Sequence, residues 1–97
     1  MRNEMDKLID MLTAFEEKQE EYIFDIETDY FGCSHILYPN NIIRTCSIIC
    51  NPFSQGGKEG YLEIMGLLTK EESEKDDVVG YLTAKEVFNR IKKDYDL

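Results

Sequence analysis

Residues 22–31, YIFDIETDYF, mark the point at which the spacing of apolar residues along the chain changes. Before this stretch, apolar residues recur every three or four positions: Met1, Met5, Leu8, Leu12 and Phe15. That spacing predicts an amphipathic helix from residue 3 to about residue 20. Within the stretch, apolar side chains fall at every second position: Tyr22, Phe24 and Ile26. The alternation predicts a half-buried strand with these three side chains packed inward.

The rest of the chain continues as strands and ends as a helix. Further strands are predicted at residues 33–38, 42–50, 61–68 and 78–82, with turns at 29–32 and 39–41. Residues 69–77 (TKEESEKDD) are strongly charged and are expected to be exposed, with one helical turn. Thr83 followed by Glu86 is a capping-box pattern, and a last helix follows it. The expected fold is α+β: an N-terminal helix, a mostly antiparallel sheet of four to five strands, and a C-terminal helix, in one domain of residues 1–97.

Composition and charge restrict the classes of function. Three cysteines at sparse spacing favour a reducing cytosol over a disulfide scaffold, and no apolar run is long enough for a membrane span or typical of a signal peptide. The formal net charge is −9, and residues 1–30 carry ten acidic side chains against three basic ones. Such a chain repels nucleic acid and anionic membranes, so the expected partner is a protein with a basic surface.

The tetrapeptide Asp25-Ile26-Glu27-Thr28 resembles the first motif of the DEDD-type exonucleases, in which a strand presents an Asp and a Glu to two metal ions. Two-metal cleavage needs further converging carboxylates and a general base. The later motifs of that family are missing, since no Asp follows His35 or Tyr81 at the required distance. A small metal-dependent nuclease using Asp25 and Glu27 is therefore kept only as an alternative, and the chain is expected not to be an enzyme and to need no cofactor.

Four residues with zinc-binding side chains fall within eighteen positions: Cys33, His35, Cys46 and Cys50. Thiolate and imidazole are the ligands that zinc prefers. However, Cys46 and Cys50 belong to a β-rich run, TCSIIC, rather than to a tight knuckle, and free cysteine is among the most buried residue types. Buried thiols are the favoured interpretation, and a zinc site remains open as the alternative.

The remaining feature is a concentration of carboxylates around the first helix end and the first strand. With Tyr22, Phe24 and Ile26 inward, acidic side chains would line the other side of the strand. The candidate partner-binding residues are Glu16, Glu17, Glu20, Glu21, Asp25, Glu27 and Asp29. They form either a solvated face that maintains solubility or an array that imitates a nucleic-acid backbone in a basic channel.

The overall profile of a short, acidic, α+β domain without a catalytic set resembles the small acidic anti-CRISPR inhibitors of the type II-A group, which phages and mobile elements carry. The resemblance implies a target in the host bacterial cytosol, the RNA-guided DNA nuclease of a type II CRISPR system. Its basic channel holds guide RNA and heteroduplex, so an acidic inhibitor would block guide RNA or DNA engagement. Immunity proteins that neutralise toxin nucleases share the profile and form the second alternative.

Overall fold

The computed structural model describes residues 3–97 and shows the predicted α+β architecture, with helices at both ends of an antiparallel sheet. Met1, the first apolar residue of the predicted helix, lies outside the described residues. A single 3-10 turn, Gly57–Glu59, precedes the fourth strand of the described region. The other elements are α1 (Glu4–Gln19), β1 (Asp25–Thr28), β2 (Ser34–Tyr38), β3 (Cys46–Ile49), β4 (Leu62–Met65), α2 (Lys70–Lys75), β5 (Val78–Leu82) and α3 (Ala84–Tyr95).

The five strands lie in sequence order, β1-β2-β3-β4-β5, and every neighbouring pair is antiparallel. This meander leaves β1 and β5 as the two edge strands. Directly opposite residues share a face, so the registers Ile26–Ile36, Ile36–Ile48 and Ile48–Ile64 place one isoleucine row on one face. The row Glu27, His35, Ile49 and Glu63 lies on the opposite face.

The isoleucine face of the sheet is covered by α1 and α3, which also contact each other. The buried core between the sheet and the helices includes Leu8 and Leu12 of α1 and Val87 and Ile91 of α3. Burial of each large aliphatic side chain contributes about 1.5–3 kcal/mol, so this single cluster is the main stabilising feature of the fold. The hydroxyl of the buried Tyr38 donates a hydrogen bond to Asp94 (2.7 Å) and so has a partner.

The helix starts follow the local signals in the sequence. The Asn3 side chain caps α1 by accepting a hydrogen bond from Asp6 N (3.1 Å). Thr83 and Glu86 form the predicted capping box of α3, and Thr69 and Glu72 form a second box at α2. In each box the threonine hydroxyl and the glutamate carboxylate satisfy backbone N–H groups that lack a partner inside the helix. The predicted helical turn within residues 69–77 is therefore confirmed as α2.

The predicted inward packing is wrong for Tyr22 and only partly correct for Phe24 and Ile26. Tyr22 is 93% exposed, whereas Ile23 is buried in the core. Phe24 is partly buried against the core, and Ile26 lies on the face of Ile36 but is 49% exposed. The cause lies between α1 and β1. Glu20 adopts a left-handed conformation (φ 57°), and strand pairing begins only at Asp25, so residues 21–24 do not follow a strand alternation.

The strand predicted at residues 42–50 is also too long, because β3 begins at Cys46. The Asn40 side chain accepts hydrogen bonds from Ile42 N and Ile43 N (both 2.9 Å), and Arg44 adopts a left-handed conformation (φ 51°). Such Asx turns offer the backbone an alternative to sheet pairing. Ile42 and Ile43 are consequently exposed in a loop rather than paired in the sheet.

Candidate functional site

Four of the seven predicted acidic residues come together at the C-terminal end of α1. Thr13 and Tyr22 complete a surface depression of about 390 Å³. We call this feature the acidic depression, and its carboxylates are Glu16, Glu17, Glu20 and Glu21. Residues 13, 16, 17 and 20 share one helix side because they are spaced by three and four, and the left-handed Glu20 turns residues 21 and 22 back beside them.

Two of these carboxylates hold the depression in shape. Glu16 accepts a hydrogen bond from Ile23 N (2.7 Å), which fixes the chain after the helix. Glu21 accepts one from the Tyr95 hydroxyl (2.6 Å), which joins the depression to the end of α3, and this bond raises the pKa of Tyr95. Among residues 3–97, the side chains of Glu17 and Glu20 have no hydrogen-bond or ion-pair partner, and both are exposed. They are therefore the carboxylates available to a partner.

The two acidic residues of β1 occupy the sheet face opposite to α1 and α3. Asp25 accepts a hydrogen bond from Asn41 N (2.8 Å), and Glu27 lies 3.6 Å from the Arg44 guanidinium. Both contacts hold the loop of residues 39–45 against the edge of the sheet. Asp25 and Glu27 do share one face, as the strand pattern predicted, but each already has a partner within the chain.

Asp29 stabilises a turn rather than facing solvent freely. One carboxylate oxygen accepts hydrogen bonds from Phe31 N and Cys33 N (both 2.9 Å), and the other accepts one from the Asn51 amide (3.2 Å). Desolvation by itself would raise the pKa of Asp29, but the hydrogen bonds from Cys33, Asn51 and Phe31 hold that pKa below its usual value. The structure thus separates Asp29 from the acidic depression and gives it a role in local geometry.

The nuclease alternative needs more carboxylates than the strand provides. Two-metal sites hold two ions about 3.5–4 Å apart, and several carboxylates converge on them. Within the described residues, no group of three or more His, Cys, Asp or Glu side chains is arranged to hold a metal ion. Arg44 occupies the neighbourhood of Glu27, so a cationic side chain already compensates that carboxylate.

The four possible zinc ligands are distributed over both faces of the sheet. Cys46 is fully buried in the core with its thiol 3.6 Å from Gly66 O, and burial raises the pKa of that thiol to about 12. His35 lies on the opposite face, where its ring hydrogen-bonds the Ser47 hydroxyl. The sheet itself therefore separates Cys46 from His35, and one metal ion cannot bind both. Burial also raises the pKa of the Cys50 thiol, while Cys33 is only partly buried.

An exposed group of aromatic side chains was missed by the sequence analysis. Tyr30 and Phe31 in the β1–β2 turn lie beside Phe53 in the loop after β3, with all three rings substantially exposed. The alternating pattern of residues 22–31 indicates only the acidic side chains of that stretch. A usable signal is present, since Tyr30 and Phe31 lie in a predicted turn and Phe53 lies between two predicted strands, where no helix or strand face can bury them.

Comparison with known proteins adds no relative. The chain matches no protein-family model, and no curated protein and no solved structure is significantly similar to it. The longest helix of residues 3–97 is the 16-residue α1, and none of the described helices combines the length and apolar character of a bilayer-spanning segment.

Proposed function

We propose that this protein is a non-enzymatic inhibitor that binds a basic nucleic-acid-binding surface of a bacterial nuclease through the acidic depression. The proposed target is a type II CRISPR RNA-guided DNA nuclease in the host cytosol. Blocking its positively charged channel would prevent guide RNA or DNA from engaging. Glu17 and Glu20 supply the free negative charge, while Glu16 and Glu21 set the shape of the depression.

The observation that supports this proposal is the position of the carboxylates at the C-terminal end of α1, where negative charge is unfavourable. The C-terminus of a helix carries a partial negative charge, so acidic side chains there cost a few tenths of a kcal/mol each or more. Glu20 adds the cost of a left-handed conformation in a residue with a Cβ atom. Among residues 3–97, the side chains of Glu17 and Glu20 form no hydrogen bond or ion pair that would offset this cost, which makes a role in binding the better explanation.

The expected binding is electrostatic and therefore depends on salt. A carboxylate array that displaces counterions from a basic channel gains the same entropy as the nucleic acid that it imitates. The net charge of −9 also steers the protein towards a positive surface. Affinity should fall as the ionic strength rises from 0.1 M to 1 M, where the Debye length shortens from about 10 Å to about 3 Å.

The decisive experiment measures DNA cleavage by a purified type II RNA-guided nuclease in the presence of this protein. Wild-type protein should inhibit, and Glu17→Lys/Glu20→Lys should lose about ten- to hundredfold in affinity because each reversed charge clashes with the basic channel. The matched control is Glu74→Lys/Asp77→Lys, which changes net charge equally at exposed positions of the β4–β5 connection.

The control shows whether inhibition depends on the acidic depression or only on the net charge of the protein. Equal losses in both variants would mean that only net charge matters and that the acidic depression has no special role. No inhibition by the wild type at any step would rule out this nuclease as the target, and a parallel assay against toxin nucleases would then test the immunity-protein alternative.

A further inference from the structure

Three exposed aromatic side chains lie side by side on the two loops. We call Tyr30, Phe31 and Phe53 the aromatic cluster. Tyr30 is 96% exposed, Phe53 is 79% exposed and Phe31 is 45% exposed. The ring centroids of Phe31 and Phe53 are 4.9 Å apart, and those of Tyr30 and Phe31 are 5.6 Å apart with the rings nearly perpendicular. Contiguous exposed aromatic surface of this kind is typical of interaction sites rather than of monomer surfaces.

Hydrogen bonds fix the two loops that carry the aromatic cluster. Asp29 accepts from Phe31 N in the first loop and from the Asn51 amide in the second, so one carboxylate joins both. Asn51 in turn accepts from Phe53 N and Ser54 N (both 2.9 Å). A Cβ atom at Gly57 would lie 1.9 Å from Asn51 O, so the second loop packs closely on the backbone that follows it. The aromatic cluster is therefore preorganised, which lowers the entropic cost of binding.

The charge around the aromatic cluster favours a cationic ligand. Residues 19–43 and 45–57, which include both loops of the aromatic cluster, contain no Lys or Arg. The carboxylate of Asp29 does lie at this surface, because it hydrogen-bonds both loops that carry the cluster. A second copy of this chain or a nucleic acid would bring like charge to the same surface, whereas a basic protein segment would bring opposite charge.

We infer that the aromatic cluster binds arginine side chains of a basic partner protein. A planar guanidinium group stacks on aromatic rings, which the compact ammonium of lysine does less well. The inference names a second contact surface beyond the acidic depression, and it rests on the proposed function in that both surfaces require a basic partner.

The test uses the full-length protein and two synthetic probes of equal charge, hexa-arginine and hexa-lysine, in an NMR titration of the aromatic ring signals. Hexa-arginine should shift the ring signals of Tyr30, Phe31 and Phe53 and should bind more tightly than hexa-lysine. Tyr30→Ala/Phe53→Ala should lower the affinity for hexa-arginine by about fivefold and leave that for hexa-lysine nearly unchanged. Ile42→Ala removes another exposed apolar side chain and is the control.

Failure of this inference can be distinguished from failure of the proposed function. Glu17→Lys/Glu20→Lys should lower the affinity for both peptides by the same factor and preserve the preference for hexa-arginine. An unchanged affinity would contradict the role of the acidic depression but not that of the aromatic cluster. Ring signals that respond equally to both peptides, or to neither, would overturn the inference. So would ring signals that change with protein concentration or with a single-stranded oligonucleotide, because a second copy or a nucleic acid would then be the occupant.

Discussion

The carboxylate of Glu4 accepts a hydrogen bond from Ala84 N (2.8 Å), which joins the first turn of α1 to the first turn of α3 across 80 positions of sequence. Glu4 is buried, and its second oxygen contacts the Lys7 ammonium at 3.2 Å. A carboxylate at a helix N-terminus satisfies a backbone N–H and interacts favourably with the helix dipole. The two helices that cover the sheet are therefore linked by a buried polar contact as well as by apolar packing.

Replacing this carboxylate should destabilise the protein strongly. Glu4→Ala should lower the free energy of unfolding by about 2–3 kcal/mol, because Ala84 N would be left buried without its acceptor. Urea denaturation followed by circular dichroism measures the change. The control Glu74→Ala, at an exposed position of α2, should change stability by less than about 0.5 kcal/mol. Similar values for the two variants would show that the Glu4–Ala84 contact contributes little.

Glu20 provides a test of the balance between stability and binding. Glu20→Gly should raise the free energy of unfolding by about 1 kcal/mol, because glycine adopts a left-handed conformation without the Cβ penalty. The same substitution one residue earlier, Gln19→Gly, lies in the last helical turn and should destabilise by up to about 1 kcal/mol. Thermal unfolding compares the variants. If Glu20→Gly stabilises the protein but weakens inhibition, the acidic residue is retained at the expense of stability.

Arg90 and Glu72 should give stability a measurable pH dependence. Arg90 donates two hydrogen bonds to the Glu72 carboxylate (both 2.7 Å) and one to Leu67 O (3.0 Å), and its hydrogen bonds lower the pKa of Glu72 to about 2. A carboxylate whose pKa is lowered by folding stabilises the protein above its unfolded pKa, and that stabilisation disappears as the pH falls through the folded pKa. The contribution should therefore be complete above about pH 4.5 and be lost progressively towards pH 2.

Arg90→Ala isolates this contribution. The variant should be less stable by about 1–2 kcal/mol at pH 7, and the difference from wild type should shrink between pH 4.5 and pH 2. Arg90→Lys should recover only part of the loss, because an ammonium cannot form the paired contact with both carboxylate oxygens. Urea midpoints measured across this pH range provide the comparison. A difference that does not change with pH would show that Arg90 stabilises through packing instead.

Local signals predicted much of the fold, and contacts between distant residues explain what they missed. The β5 strand and the Thr83–Glu86 capping box depend on neighbouring residues, so the sequence pattern was sufficient. The directions in which the side chains of residues 22–26 point depend on two contacts: the hydrogen bond from Ile23 N to Glu16, and the start of pairing with β2 at Asp25. An alternating sequence pattern does not reveal either contact. The acidic residues were visible, but their partners Asn41, Arg44 and Tyr95 are far away in sequence.

The Asp29–Asn51 hydrogen bond is expected to determine the geometry of the aromatic cluster. Asp29→Asn would place the new amide NH2 group opposite the amide NH2 group of Asn51, so two donors would face each other. Rotation of the Asn51 amide would not remove this clash, because its oxygen already accepts hydrogen bonds from Phe53 N and Ser54 N. Asn51→Asp would set two carboxylates against each other. Each single substitution should therefore lower the urea midpoint and broaden the ring signals of Phe31 and Phe53.

The exchanged pair, Asp29→Asn/Asn51→Asp, restores one donor facing one acceptor and keeps acceptors for Phe31 N, Cys33 N, Phe53 N and Ser54 N. The double variant should therefore recover most of the wild-type midpoint and sharp ring signals, and a double-mutant cycle measures the coupling between the two positions. Additive losses would show that the two side chains act independently and that the loops are held by other contacts. Recovery of stability together with the preference for hexa-arginine would establish that this hydrogen bond positions the aromatic cluster for binding.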